Sequence, residues 1–198
     1  MNNNDLITSD FGGGTVKVTT RTEARKKVLS ELGFAILKDY ERAYPELSVS
    51  EVLSLLAKDH PELWIYDGTK RIIHDRVVTT AFVNDIVDNL ITETSAFGDY
   101  KYHDSGEDNT AENASDTGLG TPCGEARDTG TQVEGSQTYE YKSVATHTYA
   151  GSFTITEHGL FNQSSGGILM DRTVFTGIPV SASDQIEFTF TIQFAAGS

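Results

Sequence analysis

The segment "QIEFTFTIQF" (185–194) alternates strictly between polar and apolar side chains, and it constrains the fold more than any other stretch. Successive residues of a strand point to opposite faces of the sheet. One face of this segment therefore carries only apolar side chains: Ile186, Phe188, Phe190, Ile192 and Phe194. The pattern predicts a strand with a buried apolar face and a polar face that is wet or lies against a neighbour.

Other segments have the same β character. After Gly135 these are "TYEYKSVATHTY", "SFTITEHGLF" and "ILMDRTVF". Upstream, "LWIYDGTKRIIH" predicts a hairpin that turns at Asp67–Gly68, and "DYKYH" (99–103) predicts a strand. Consecutive strands with short turns are typical of an antiparallel sandwich. The predicted fold class is α+β, mainly β: an antiparallel β-sandwich with a packed helix, preceded by a small N-terminal helical segment.

Helical periodicity supports the α part of this prediction. From Thr22 onward, apolar residues recur at three- and four-residue steps, at Val28, Leu29, Leu32, Ile36 and Leu37. Ser48 and Glu51 have the spacing of a capping box and predict the start of a second helix. A third helix is predicted over about residues 78–92, where the apolar stripe is Phe82, Val83, Ile86, Val87, Leu90 and Ile91.

These patterns divide the chain into three parts. Residues 1–20 are predicted to be a flexible N-terminal arm, residues 21–62 a helical anchor segment, and residues 63–198 a β-sandwich body with a long loop at 104–136. The run "FGGG" in the arm lacks the spacing of a phosphate loop or a dinucleotide fingerprint, so we expect it to be a hinge. So long a loop inside a compact domain is often a binding or assembly element.

The overall charge limits the classes of partner. At a formal net charge of −14, the chain lacks the basic patches that phosphate contacts and anionic membranes require, so we expect neither nucleic-acid nor membrane binding. Cys123 is the only cysteine, which excludes an internal disulfide and a thiolate metal cluster. We expect no cofactor, no export signal and no membrane-spanning segment.

The long loop is acidic and raises the question of a cation site. Its carboxylates are Asp104, Glu107, Asp108, Glu112 and Asp116. Their spacing does not match the calcium-binding loop with its terminal glutamate. We therefore expect a solvated surface loop and assign no metal ligands.

The stretch "TITEHGLFNQSSGGILMDRTVF" (154–175) brings together Glu157, His158, Asp171 and Arg172. As a hairpin turning at "NQSSGG" with Phe161 opposite Ile168, it places Glu157 opposite Arg172 and His158 opposite Asp171. Both pairs join opposite charges, and neighbouring residues of one strand cannot act on one ion together. We therefore predict two structural ion pairs, with Glu157 and Arg172 on an apolar face that includes Ile155. The alternative is a metal or acid–base role for His158 and Asp171.

No catalytic motif accompanies these residues. The other histidines have no zinc-site spacing, and no nucleophile-elbow motif is present, so we assign no catalytic residues. The hydroxyl-bearing face of the last strands, with Tyr139, Tyr141 and Tyr149, leaves a glycan-binding surface as an alternative to ordinary cross-strand pairs.

Six segments occur in this order along the chain: "RVVTTAFVNDIVDNLI", "YKYHDSG", "DTGLGTP", "GTQVEGSQTYEYKSVATHTY", "SFTITEHGLFNQSSGGILMDRTVF" and "DQIEFTFTIQF". Together they resemble a family of minor virion structural proteins of tailed bacteriophages. The "ITEHGLF…GGILMDRTVF" part also resembles a segment of the attachment domains of phage tail fibres. The resemblance covers about residues 76–196 and leaves out the segment 20–60.

The resemblance implies a β-rich, non-enzymatic module that is assembled on a virus particle. We expect a homo-oligomer, made in the host cytoplasm and located in the virion, on capsid, neck or tail. A decoration, cement or fibre-anchoring role is favoured, and its partners would be its own copies and other virion proteins. The alternative function is a receptor- or glycan-binding tail fibre protein whose partner is a host surface glycan.

Overall fold

The structure is a computed structural model that describes residues 6–8, 15–74, 76, 78–92 and 99–195. The described residues form two antiparallel sheets packed face to face, with three α-helices, which confirms the predicted fold class. The strands are β1 (Leu6–Thr8), β2 (Thr15–Leu29), β3 (Trp64–His74), β4 (Tyr102–Gly106), β5 (Asp128–Thr129), β6 (Val133–Glu134), β7 (Glu140–Thr148), β8 (Phe153–Phe161), β9 (Leu169–Val180) and β10 (Gln185–Ala195). The helices are α1 (Glu31–Ala43), α2 (Val49–Asp59) and α3 (Thr80–Thr92).

The larger sheet has six strands in the order β1-β2-β10-β7-β6, with β3 also paired to β2. The smaller sheet has four strands in the order β5-β4-β8-β9. The alternation of β10 is confirmed: its buried side chains, Ile186, Phe188, Phe190 and Ile192, face the smaller sheet. The opposite side of β10 forms part of an outer polar surface, at Glu187, Thr189, Thr191 and Gln193.

The prediction of a helix from Thr22 is wrong, because residues 15–29 form the strand β2. This strand pairs with β10 from Lys17 opposite Ala195 to Lys27 opposite Gln185. Threonine and valine dominate its first half and favour extended backbone. The helical spacing in the sequence spans the end of this strand and the start of α1. Residues 15–20, predicted as part of a flexible arm, belong to β2, and the hinge glycines at 12–14 lie outside the described residues.

The predicted hairpin at Asp67–Gly68 is also wrong, because residues 64–74 form one strand, β3. Tyr66 lies opposite Lys27 and Lys70 lies opposite Arg25, so extra residues of β3 are accommodated between these pairs. Gly68 adopts a φ of +92°, a conformation that suits glycine. The Asp–Gly pair forms a bulge in a continuous strand, which a sequence pattern does not distinguish from a turn.

Serine side chains cap the starts of α1 and α2. Ser48 and Glu51 form the predicted capping box of α2, and Ser30 caps α1 by accepting a hydrogen bond from the backbone of Gly33. Both helices pack with β2 and β3 around a small apolar cluster of Leu29, Leu53, Leu56, Leu63 and Trp64. The third predicted helix is present as α3, whereas the strand predicted at 99–103 begins only at Tyr102. In the described part of the chain, no helix is long and apolar enough to cross a membrane.

Candidate functional site

The predicted ion pair between Glu157 and Arg172 is present. Arg172 Nε donates to Glu157 Oε2 over 2.7 Å, and the Arg172 and Glu157 side chains are 4% and 0% exposed, respectively. Their strands pair in a different register from the predicted one, with Glu157 opposite Val174 and Gly159 opposite Arg172. Because the register differs by two residues, both side chains stay on one face and meet diagonally across the strands.

The face that carries this pair differs from the predicted one. A register shift lies between Ile155 and Glu157. Ile155 packs in the core between the sheets, while the next-but-one residue, Glu157, bonds to the long loop on the outer side of the smaller sheet. The predicted apolar face shared by Ile155 and Glu157 is therefore wrong, since the bulge moves Glu157 to the other side.

Arg172 is the centre of a charge cluster that binds the acidic loop. Its guanidinium donates to Asp108 over 3.0 Å and to Asp116 over 3.2 Å, in addition to Glu157. Burial alone lowers the pKa of Arg172, but the hydrogen bonds that it donates to Glu157 and Asp116 outweigh this and raise the pKa. The guanidinium thus stays charged with three carboxylates around it, which is the geometry of a permanent structural anchor.

Glu157 completes this anchor by binding loop backbone. Its two carboxylate oxygens accept from the N–H groups of Gly120 (3.0 Å), Thr121 (2.8 Å) and Asp108 (3.3 Å). A side chain at Gly106 would clash with Glu157 Oε1 and the Thr121 carbonyl oxygen, so the loop lies directly on the sheet. The long loop is not a freely solvated surface loop, because its carboxylates are already engaged within the chain.

A second anchor holds the other end of the loop. Arg127 donates to Asp104 over 3.0 Å and to the carbonyl oxygens of Gln163 and Gly166 over 2.9 and 2.6 Å. Its guanidinium also stacks on the Phe161 ring, 3.4 Å from the centroid. Arginine suits this position because a planar cation forms several directed bonds and a ring contact together.

The second predicted ion pair, between His158 and Asp171, is wrong. His158 lies opposite Thr173 and shares a hydrogen bond of 2.9 Å with His103, while its ring stacks on Phe188. The Asp171 carboxylate accepts instead from the Thr173 hydroxyl over 2.6 Å. Burial raises the pKa of Asp171 to about 7, although the Thr173 hydrogen bond opposes this shift.

Residues outside the predicted site continue the His158 network across the core. His103 on β4 bonds to Ser143 on β7 over 2.8 Å, and thereby joins the two sheets. A hydrogen-bonded serine–histidine pair is part of many nucleophilic sites. Here both residues are buried, and burial together with the neighbouring His147 lowers the pKa of His103 to about 3. The ring is therefore a poor base near neutral pH, and the pair acts as a polar tie between the sheets.

A further buried cluster surrounds His147. Asp128 Oδ2 lies 2.5 Å from His147 Nδ1, and the Tyr149 ring centroid lies 4.7 Å from that of the His147 ring. Burial lowers the pKa of His147, but Asp128 and Cys123 outweigh it and raise the value to about 10. Alternation along β7 puts Ser143, Ala145 and His147 on its buried face. This alternation is the one sequence pattern that indicates that Ser143 and His147 belong to buried polar clusters.

The His103–His158 pair makes stability sensitive to acid. An unfolded histidine has a pKa near 6.5, whereas that of folded His103 is about 3. Below pH 6.5 the unfolded chain binds the extra proton at this residue, so the contribution of His103 to the free energy of unfolding falls as the pH drops towards 3, by about 1.4 kcal/mol per pH unit. His103→Gln should reduce this slope in urea unfolding measured across the range. His74→Gln, at an exposed position, is the control, and equal slopes in all three proteins would contradict the assignment.

The tyrosines of the alternative glycan surface are not arranged as a platform. Tyr149 is buried and bonds to Ser105, and half-buried Tyr141 donates to the Tyr100 carbonyl oxygen. Only Tyr139 of the three is exposed. Of the alternative glycan-binding surface, the hydroxyl-bearing face of β10 therefore remains as a candidate, without a platform of tyrosine rings.

The four predicted site residues have roles in holding the fold together. No group of three or more His, Cys, Asp or Glu side chains within the described ranges could hold a metal ion. Comparison of the chain with protein-family models, with curated proteins and with solved structures found no match.

Proposed function

We propose that this chain is a non-enzymatic structural component of a tailed-bacteriophage virion, oligomeric and attached to capsid, neck or tail. A decoration, cement or fibre-anchoring role fits it best. The first support is the ordered series of segments that resembles phage virion proteins. In the fold these segments form one continuous unit: helix α3, strands β4, β8 and β9, and β6, β7 and β10 of the larger sheet.

The observation that carries the proposal is apolar surface on the helices. On α3, Phe82 is buried against the sandwich, while Val87, Leu90 and Ile91 are 49%, 75% and 73% exposed. Helix α1 likewise exposes Leu32 and Phe34. Grouped exposed apolar residues mark surfaces that bury against a partner, and symmetric assemblies repeat such contacts many times.

The roles of the chain segments follow from their contacts. The acidic loop, which the sequence suggested as a binding or assembly element, is bound to Arg172 through Asp108 and Asp116 and so belongs to the body. The helices α1 and α3 then provide the surfaces for assembly. A body whose loop is held in place, with exposed apolar helix faces, is suited to a protein that folds first and is then incorporated into a particle.

The test is incorporation into particles. We expect the native protein to copurify with washed phage particles at a fixed copy number, measured by quantitative mass spectrometry. Leu90→Asp combined with Ile91→Asp should abolish incorporation, because it charges the exposed face of α3, while the purified variant stays folded by circular dichroism. Asn84→Asp adds a charge at another exposed position of the same helix and should incorporate normally. Absence of the native protein from washed particles would refute the proposal.

A second candidate is a receptor- or glycan-binding fibre protein. One observation favours it: a polar cleft on the outer face of the larger sheet, beside β10. Both candidates are compatible with a place on the virion, but only this one requires a small-molecule ligand.

A further inference from the structure

The outer face of the larger sheet contains a cleft of about 460 Å³. Its floor includes a row of side chains that lie directly opposite one another on four adjacent strands. Across β7, β10, β2 and β3 this row is Lys142, Thr191, Arg21 and His74. A second row, from β7 to β2, is Glu140, Gln193 and Thr19. The volume lies in the range of small-ligand sites.

Two cations flank the centre of this floor. Lys142 and Arg21 lie on either side of Thr191, separated by two strand spacings, or roughly 10 Å between backbones. Arg21 donates to Glu23 over 2.9 Å but keeps 46% of its side chain exposed. In a chain with a net charge of −14, these cations make the cleft a local site of attraction for an anion.

One carboxylate, that of Glu140, also lines the cleft. Glu140 Oε2 accepts from the backbone N–H and the hydroxyl of Ser136, both over 2.8 Å, and from the N–H of Gln137 over 3.3 Å. These donors fix Glu140 to the turn before β7. Two cations against this one carboxylate leave the lining with a net positive charge, which favours an anionic group between Lys142 and Arg21.

The remaining lining side chains are hydroxyls, one amide and the imidazole of His74. The hydroxyls of Thr19, Thr189 and Thr191 and the amide of Gln193 can each donate and accept hydrogen bonds. Among the described lining residues there is no Phe, Tyr or Trp, so the cleft offers no aromatic platform for a neutral sugar. A ligand with one anionic group and several hydroxyls matches this set of donors and acceptors.

We infer that this cleft binds an acidic saccharide, with its carboxylate between Lys142 and Arg21 and its hydroxyls on the threonines and Gln193. This deepens the second candidate function by naming the ligand class, and it rests on that candidate alone. The isolated protein is sufficient to test it, so its failure leaves the particle-incorporation test of the first candidate untouched.

The experiment is an amide NMR titration of the full chain with D-glucuronate and, in parallel, N-acetylneuraminate. We expect saturable shifts of the Thr191 and Gln193 amides with at least one of the two acids. Lys142→Gln and Arg21→Gln should each weaken binding about 10-fold or more, because each removes a charge-assisted hydrogen bond. Lys38→Gln removes the same charge at a helix position outside the lining and should bind like the native protein.

Two further titrations decide the ligand class. D-glucose, which has the hydroxyls without the charge, should cause no saturable shift at these amides, and inorganic phosphate should bind more weakly than the acidic sugar. Equal binding of glucose would overturn the requirement for an acid, and equal binding of phosphate would reduce the site to a simple anion site. Absence of saturable shifts with both acidic sugars would overturn the inference entirely.

Discussion

Arg172→Met should lower the free energy of unfolding by about 3–5 kcal/mol, because it leaves the buried carboxylate of Glu157 without its cation. Asp108 and Asp116 lose the same partner, so the loop should also open locally. The first effect is measured by urea unfolding. The second is measured by hydrogen exchange of the Gly120 and Thr121 amides, which donate to Glu157 in the native fold.

The matched control is Arg42→Met, which removes the same side chain from an exposed pair with Asp39 on α1. This change should stay within about 0.5 kcal/mol, as is usual for exposed ion pairs. Adding Glu157→Gln to Arg172→Met should recover part of the lost stability, since it removes the uncompensated charge. A similar small loss for Arg172→Met and Arg42→Met would show that Arg172 is not a structural anchor.

Phe188→Ala should cost a similar amount, about 3–5 kcal/mol, because it opens a cavity between the two sheets. Phe188 is 1% exposed, packs in the main core cluster and stacks on the His158 ring at 4.5 Å. Its loss therefore removes packing from both sheets. Thermal or urea unfolding of the purified variant measures the effect.

Thr189→Ala is the control for this prediction, because Thr189 is the next residue of β10 and lies on its outer face. We expect a change of about 0.5 kcal/mol or less, the usual range for surface substitutions. Comparable losses from the two variants would mean that the assignment of the two faces of β10 is incorrect.

Local patterns predicted the elements whose signal lies within one segment. The alternation of β10 and the apolar stripe of α3 are each a single periodicity, and the capping box at Ser48 is a single local motif. At residues 15–29 the pattern failed because the pairing with β10, which is distant in sequence, decides the structure. At Asp67–Gly68 it failed because bulges and turns use the same residues.

In the candidate site, too, contacts within one hairpin were predictable, whereas contacts with segments distant in sequence were not. A register error of two residues preserves the faces of both strands, so the contact between Glu157 and Arg172 was predicted correctly from an incorrect register. His158 has its partner on β4, about fifty residues away, and nothing local to "TEHGLF" indicates His103. The binding of Asp108 and Asp116 to Arg172 likewise depends on how the loop folds back over the sheet.

The most direct measurement for the proposed virion role is the location of the protein on intact particles by electron cryomicroscopy. The proposal predicts repeated, symmetry-related density on head, neck or tail that fits the two-sheet body, with the exposed face of α3 buried against a neighbour. Particles that carry no such density, although the protein is expressed during infection, would contradict it.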